Sequence, residues 1–216
     1  MLSPEEKMSC FTVCFYFLLA ELHDDMGGTL SGITLYSHLV NDLLDSGKYT
    51  EAKQSANIIQ QSANEMNHTL RDLIWAFSSE MDTPQKLIEK IDEYIVWMAK
   101  SKNIKVHQNV SEISSAINLP SKITRNIYLI IKEAINNAVK HSQASELEIT
   151  IKPTPTSIFF SIKDNGIGFD IDHVQSGHGL ITMKNRSAEI KSEIIVISTI
   201  TQGTTISLVY IIPHPG

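Results

Sequence analysis

An apolar seam at heptad spacing constrains this chain more than any other feature. Ala52, Ala56, Ile59, Ala63, Met66, Leu70, Leu73 and Phe77 recur at alternating steps of four and three, the pattern of helices packed at a shallow angle. Upstream, Leu19, Leu22, Met26, Leu30, Ile33, Tyr36, Val40 and Leu44 recur at similar spacing. Asp45-Ser46-Gly47-Lys48 supplies turn chemistry between the two stretches, so they are expected to form an antiparallel helical hairpin. Two helices bury too little apolar surface to be stable alone. Pairing two hairpins into a four-helix bundle covers both seams, which predicts a homodimer.

Beyond the hairpin the pattern changes. Asp82-Thr83-Pro84 starts a helix that runs to Lys100, because proline is favoured in a first helical turn. Ile104 to Val110 reads as a strand, and Pro120-Ser121 opens a helix reaching His141. Leu147 to Ile151 and Ile158 to Lys163 read as strands joined through Pro153-Thr154-Pro155. A helix over Leu180 to Ile190 precedes two closing strands, Glu193 to Thr199 and Thr205 to Ile211, with Gln202-Gly203 at the turn. Helices on one face of a mostly antiparallel sheet make an α+β sandwich. The expected division is a helical domain over 1–78 and a sandwich domain over 83–216, with a short linker from Phe77 to Thr83.

Composition narrows the function. Net charge is −6 with no long basic run, which speaks against a nucleic-acid groove. Cys10 and Cys14 stand four apart in an apolar stretch and read as buried thiols on one helix face, with a disulfide or metal pair as the minor reading. Phe11 to Ala20 is a run of ten apolar or small residues, half of the roughly 20 a bilayer needs. It reads as the upper end of a packed helix. Met1 to Lys7 carries two Glu against one Lys, unlike a signal peptide.

The chemistry-bearing residues fall in three places. Glu133 and Asn137 are one helical turn apart and project from the same face, with Lys140 and His141 on the next turn. A carboxylate and a carboxamide oxygen are hard donors suited to Mg2+. Asp164-Asn165-Gly166-Ile167-Gly168 ends an apolar strand, where glycine allows close approach of backbone to a ligand. Gly177-His178-Gly179-Leu180 opens a helix, whose first amides suit a phosphate. No Walker-type loop is present.

Lys132 to Ser142, the Asp164 loop and the Gly177 loop, in this order, resemble the ATP-binding domain shared by histidine kinases, gyrase, Hsp90 and MutL, the GHKL family. The resemblance implies that Asn137 coordinates Mg2+ and that Glu133 activates a water or nucleophile near the γ-phosphate of ATP. It implies that Lys140 or His141 approaches phosphate oxygens and that Asp164 meets the adenine amino group. Gly166 and Gly168 would make room for the ring, Gly177, Gly179 and Leu180 would cradle phosphate, and Thr204 would help hold adenine and its water. Eight residues, Phe169 to Ser176, separate the glycine loops, a shorter lid than in many histidine kinases and similar to the subfamily with a compact ATP-binding domain.

Glu21-Leu22-His23-Asp24-Asp25 resembles the phosphoacceptor box of that subfamily of sensor histidine kinases. His23 lies beside seam positions Leu22 and Met26, so its ring can face solvent, with Asp24 as orienting acceptor and base. The resemblance implies autophosphorylation of His23 from Mg-ATP and transfer to an aspartate of a response-regulator receiver domain. Two departures stand out. Gly28 occupies the place where relatives with strong phosphatase activity often carry a water-orienting glutamine, and Phe15 to Ala20 replaces their charged turn before the box. Too little chain precedes His23 for a sensor domain, so signal input is expected from a missing N-terminal portion or another protein. The expected location is cytoplasmic, with a membrane reached only through that missing segment. Competing readings are a non-catalytic ATP-binding dimeric scaffold and an anti-sigma-type serine kinase; the latter would not need the His23 hairpin. A DNA-handling ATPase would need further domains and basic surface.

Overall fold

A computed structural model describes residues 27–77, 83–102, 104–111, 117, 119–171 and 178–213. The chain divides into two compact units that part after Phe77. Among the described residues, no helix is long and apolar enough to cross a membrane.

The first unit is a helical hairpin. Helix α1 covers residues 27–45 and α2 covers Tyr49–Phe77. The connection is tight: Gly47 takes φ 73, the Lys48 amide donates to the Leu43 carbonyl at 2.8 Å, and the Gly47 amide donates to Leu44 at 3.0 Å. Glycine tolerates this left-handed conformation without a Cβ clash. Ile33, Tyr36 and Val40 turn inward as the seam predicts, as do Ile59, Ala63, Met66 and Leu70 of α2. Leu30 is 57% and Leu44 43% exposed, and Leu43 takes the more sheltered place beside the turn. The seam in α1 therefore shifts by one residue where the chain tightens into Ser46 and Gly47.

The second unit is an α+β sandwich: helices α3 (Pro84–Lys102), α4 (Ser121–His141) and α5 (His178–Glu189), with strands β1 (Lys105–Val110), β2 (Glu146–Pro153), β3 (Ser157–Asp164), β4 (Glu193–Thr199) and β5 (Gly203–Ile211). The sheet order is β1-β2-β3-β5-β4. Only β1 and β2 run parallel; the other neighbours are antiparallel. Parallel neighbours need a long crossover, and the segment containing α4 supplies it.

Strand alternation sets the core. Leu147, Ile149 and Ile151 of β2, Ile158, Phe160 and Ile162 of β3, and Ile206, Leu208 and Tyr210 of β5 are all buried. The register lines up Ile149, Ile162, Ile206 and Val196 across four strands. Against this face lies α4, whose buried Ile127, Ile130, Ile131, Ala134, Ile135 and Ala138 form its apolar side. It also packs between α3 and α5. Leu87, Ile91, Tyr94, Ile95 and Met98 are the buried positions of α3, and Lys132 of α4 sits 5.6 Å from the centre of the Tyr94 ring. Asn126, itself buried, donates from its amide to the Lys122 carbonyl at 3.1 Å and reaches Glu189 of α5 at 3.5 Å.

Phe160 is fully buried on β3, which is flanked by strands on both sides. Phe160→Ala should cost about 3–5 kcal/mol of unfolding free energy, measured by urea denaturation of the chain. A loss below about 1 kcal/mol would mean that the sheet core closes over the gap.

Candidate nucleotide site

The site begins with an irregularity in a regular strand. Alternation along β3 turns Ile158, Phe160, Ile162 and then Asp164 toward the helices. Three apolar residues build core, and the fourth puts a carboxyl at the end of it. Asp164 is only 5% exposed. Its Oδ1 accepts from the Gly166 amide at 2.8 Å, and the Thr204 amide and Ser142 side chain lie close enough to favour its charged form. Burial pushes the Asp164 carboxyl above its ordinary 3.8, against the opposing pull of these three groups.

Close backbone packing holds the loop after Asp164. Gly168 has φ 58 and faces the Thr199 carbonyl, while Gly203 has φ 88 and faces the Asp164 carbonyl. A Cβ at either place would meet backbone, which has nowhere to go. The Thr201 amide donates to the Ile167 carbonyl at 2.7 Å, and the Phe169 amide donates to Ser198 Oγ at 2.9 Å. Ser198 Oγ is also 2.9 Å from Thr204 Oγ1. Asn165 Oδ1 accepts from the Ser145 and Glu146 amides, each at 3.0 Å, and so ties the loop to the start of β2.

A cavity of about 470 Å³ lies over this floor, walled by α4, the Asp164 loop, β5 and the start of α5. It brings together Glu133, Asn137, His141, Asp164, Gly168, Gly179, Leu180 and Thr204. Glu133, Asn137 and His141 follow at steps of four, which keeps them on one helical stripe. The cavity has two chemically distinct ends. At one, Gly179 abuts the Glu133 carboxylate and lies near the Asn137 amide; at the other are Ser142 and Asp164. Nine residues of helical rise separate Glu133 from Ser142, about 13 Å.

Other sequence-derived candidates fall elsewhere. Lys140 is exposed and does not line the cavity. Gly166 is buried behind it, its missing side chain replaced by Ser142. Gly177, His23 and Asp24 lie outside the described residues, as do Cys10, Cys14, the Phe11 to Ala20 run, residues 78–82 of the linker and residues 172–176 of the lid. Sequence reasoning missed Ala138, Ser142, Ile162, Ile167, Phe169 and Ile206 as cavity lining, and Ser198 as the support of Thr204. Ser142 had one usable signal: it follows directly on the last residue of α4.

Asp164 carries a testable pH signature. Its raised folded-state pKa means that the folded chain holds the proton more tightly than the unfolded one. The stability from this group is therefore fully present below the unfolded value and is lost as pH rises through the folded one. The urea midpoint of wild type, referenced to Asp164→Asn, should fall as pH is raised from about 3.8, the ordinary carboxylate value. A difference that stays flat or rises would mean that the carboxyl is not desolvated.

Two family models match the chain: "Histidine kinase-, DNA gyrase B-, and HSP90-like ATPase" over residues 123–214 and "Histidine kinase" over residues 20–82. Relatives include the signal transduction histidine-protein kinase/phosphatase DegS of Brevibacillus brevis, 25% identical over 190 residues, covering 88% of this chain and 49% of that protein. The sensor histidine kinase LiaS of Bacillus subtilis is 24% identical over 192 residues, covering 88% of this chain and 52% of that protein. The chain spans about half the length of these relatives. Among solved structures, the Acinetobacter baumannii histidine kinase AdeS shares the fold with TM-score 0.52 at 15% identity, covering 85% of this chain and 96% of that one. The histidine kinase domain of an Erythrobacter litoralis blue-light activated histidine kinase gives 0.51 at 11% identity, covering 89% and 93%. With a segment that matches the histidine kinase model leading into one that matches the ATPase model, this chain is similar to histidine kinases over both parts.

Proposed function

We propose that this chain is the kinase portion of a two-component sensor: it takes the γ-phosphoryl group of ATP onto His23 and passes it to an aspartate of a response-regulator receiver domain. The observation that carries this reading is the cavity in which Glu133 and Asn137 share one wall with Gly179, while Asp164 sits at the far end. A buried acceptor suits the adenine amino group, and a helix start beside a carboxylate and a carboxamide suits a metal-bound triphosphate. The about 13 Å between the ends is the scale of a nucleoside triphosphate.

In this reading Asp164 accepts from the base, with the Ser198–Thr204 hydroxyl pair beside it, and Ile162, Ile167 and Ile206 exclude water from the ring. Asn137 would hold Mg2+, with Glu133 close by. Both are hard oxygen donors, and Mg2+ takes one or two protein oxygens and fills its remaining positions with phosphate and water. When bound, the ion neutralises charge on the transferring group. Glu133 orients the incoming nucleophile, and His141 meets phosphate oxygens. At His23 a ring nitrogen forms the new P–N bond as the bond from the γ-phosphorus to the bridging oxygen of ADP breaks, and Asp24 fixes the tautomer that leaves that nitrogen unprotonated.

Homodimerisation belongs to the same proposal. Leu30, Leu35, Leu39 and Leu44 of α1 and Ile58 and Ile74 of α2 are exposed on the single hairpin. A second hairpin would cover such a surface in a four-helix bundle. The reaction draws on ATP, which places it in the cytoplasm.

Purified chain incubated with Mg2+ and γ-labelled ATP should gain acid-labile, alkali-stable label, and His23→Gln should gain none. Asn137→Ala should abolish Mg-dependent labelling while leaving the fold intact by circular dichroism. ATP binding without any label in the wild type would favour a non-catalytic scaffold. Label surviving in His23→Gln would place the acceptor elsewhere.

A further inference from the structure

The inward face of the sheet changes character along one row. Ile162, Ile206 and Val196 lie side by side on β3, β5 and β4. Alternation places the next inward set two residues on, toward the Asp164 loop. That set is Asp164, Thr204 and Ser198. Ser198 pairs with Thr204, and Asp164 follows the last β3–β5 pair, Lys163 with Thr205. An apolar row is thus continued by a polar one. Asp164 and Thr204 line the nucleotide cavity; Ser198 stands on the far side of Thr204 and is not among the lining residues.

Ser198 touches three groups. Its Oγ accepts from the Phe169 amide at 2.9 Å, donates to the Gly203 carbonyl at 3.4 Å, and lies 2.9 Å from Thr204 Oγ1. A serine hydroxyl has one proton and two acceptor sites. The Phe169 amide takes one acceptor site, and the Gly203 carbonyl, which only accepts, takes the proton. The acceptor site that remains is left for Thr204, so the Thr204 hydroxyl donates to Ser198 and holds its proton out of the cavity. This arrangement serves all three contacts at once.

We infer that Ser198 is a positioning residue for base selectivity: it draws the Thr204 proton back and leaves Thr204 facing the cavity as a hydrogen-bond acceptor beside Asp164. This role rests on the nucleotide reading of the site and assigns a determinant of selectivity within it. An ionised carboxylate also only accepts. Two acceptors at the base end suit an amino group and oppose a carbonyl oxygen, whose lone pairs would face theirs. Ser198 thereby favours a 6-amino purine over a 6-oxo purine without touching either. Removing its hydroxyl frees the Thr204 proton to turn into the cavity and donate to a carbonyl oxygen. It also strands the Phe169 amide, a cost to the Asp164 loop that falls on every nucleotide alike. A ratio of two affinities separates these effects.

The test compares ADP with inosine diphosphate by calorimetric titration. The second ligand has a carbonyl oxygen in place of the amino group and a proton on the adjoining ring nitrogen. Wild type should prefer ADP. Ser198→Ala should lower that preference about two- to tenfold, the scale of one neutral hydrogen bond. Ser198→Thr keeps the hydroxyl and should keep the wild-type preference. In a Thr204→Val background no proton remains to be turned, so adding Ser198→Ala should change the preference no further. Ser198→Cys, a weaker acceptor of similar volume, should show a smaller fall and serves if the alanine variant does not fold. A preference unchanged or raised in Ser198→Ala would reduce Ser198 to a support of the loop and overturn the inference, as would wild type without a preference. A fall that persists in the Thr204→Val background would overturn it too, because the effect would not pass through Thr204. Wild type that binds neither ligand would instead overturn the nucleotide reading itself, and the inference with it.

Discussion

The architecture of the second unit depends on α4 having three kinds of surface at once. One side is aliphatic and packs on the sheet; its flanks meet α3 and α5. Between core and solvent runs a stripe of Glu133, Asn137 and His141. Residues four apart drift by about 40° per step on a helix of 3.6 residues per turn, so the stripe stays on one wall for two turns before it rotates away. Ser142 ends the helix where the stripe meets the Asp164 loop. A shift of α4 along its axis would therefore disturb the polar wall and the floor of the cavity together, and buried isoleucines oppose such a shift.

Glycine is needed at this site largely because backbone lies behind it. Gly168 faces the Thr199 carbonyl, and Gly203 faces the carbonyl of Asp164. Both have positive φ. The room expected for a ring next to Gly166 is filled by Ser142. Gly179 instead has side-chain atoms of Glu133 and Asn137 as its near neighbours. The Asp164 loop is thus pinned by the chain's own backbone, and the glycine at the start of α5 is the one that keeps the polar wall open.

Much of this could be read from residue order because the controlling signals are local. Pro120-Ser121 starts α4 and its apolar period carries it to His141; alternation over Ile158 to Lys163 marks β3, which the structure extends to Asp164. The stepping of Glu133 and Asn137 places them on one face from spacing alone. What stayed hidden depends on contacts between distant segments. Ser198 and Thr204 meet across a hairpin, and Ile206 reaches the cavity only through its pairing with Ile162. Parallel pairing of β1 with β2 brings together residues about forty apart, and no turn signal marks it. Ser142 follows a helix end and looks like an ordinary cap until the Asp164 loop folds against it.

The hairpin shows where a periodic pattern becomes ambiguous. In α2 the buried or half-buried positions include Ala52, Ile59, Ala63, Met66 and Leu70, but Ser55 is buried and Ala56 exposed. In α1 the seam shifts from Leu44 to Leu43 as the chain enters the turn. Heptad spacing identifies an apolar stripe wider than one hairpin can use, because a helix with two packing partners needs apolar residues on two adjacent faces. Ile33, Tyr36 and Val40 are half-buried, while Leu35 and Leu39 are exposed, Leu35 at 68%. That outer set is offset from the inner one by one or two residues, about a quarter to half a turn. This is the offset expected of a helix that packs on its own partner and on a second hairpin at once. The mismatch between the predicted seam and the observed one is therefore what the proposed pairing of two hairpins would produce.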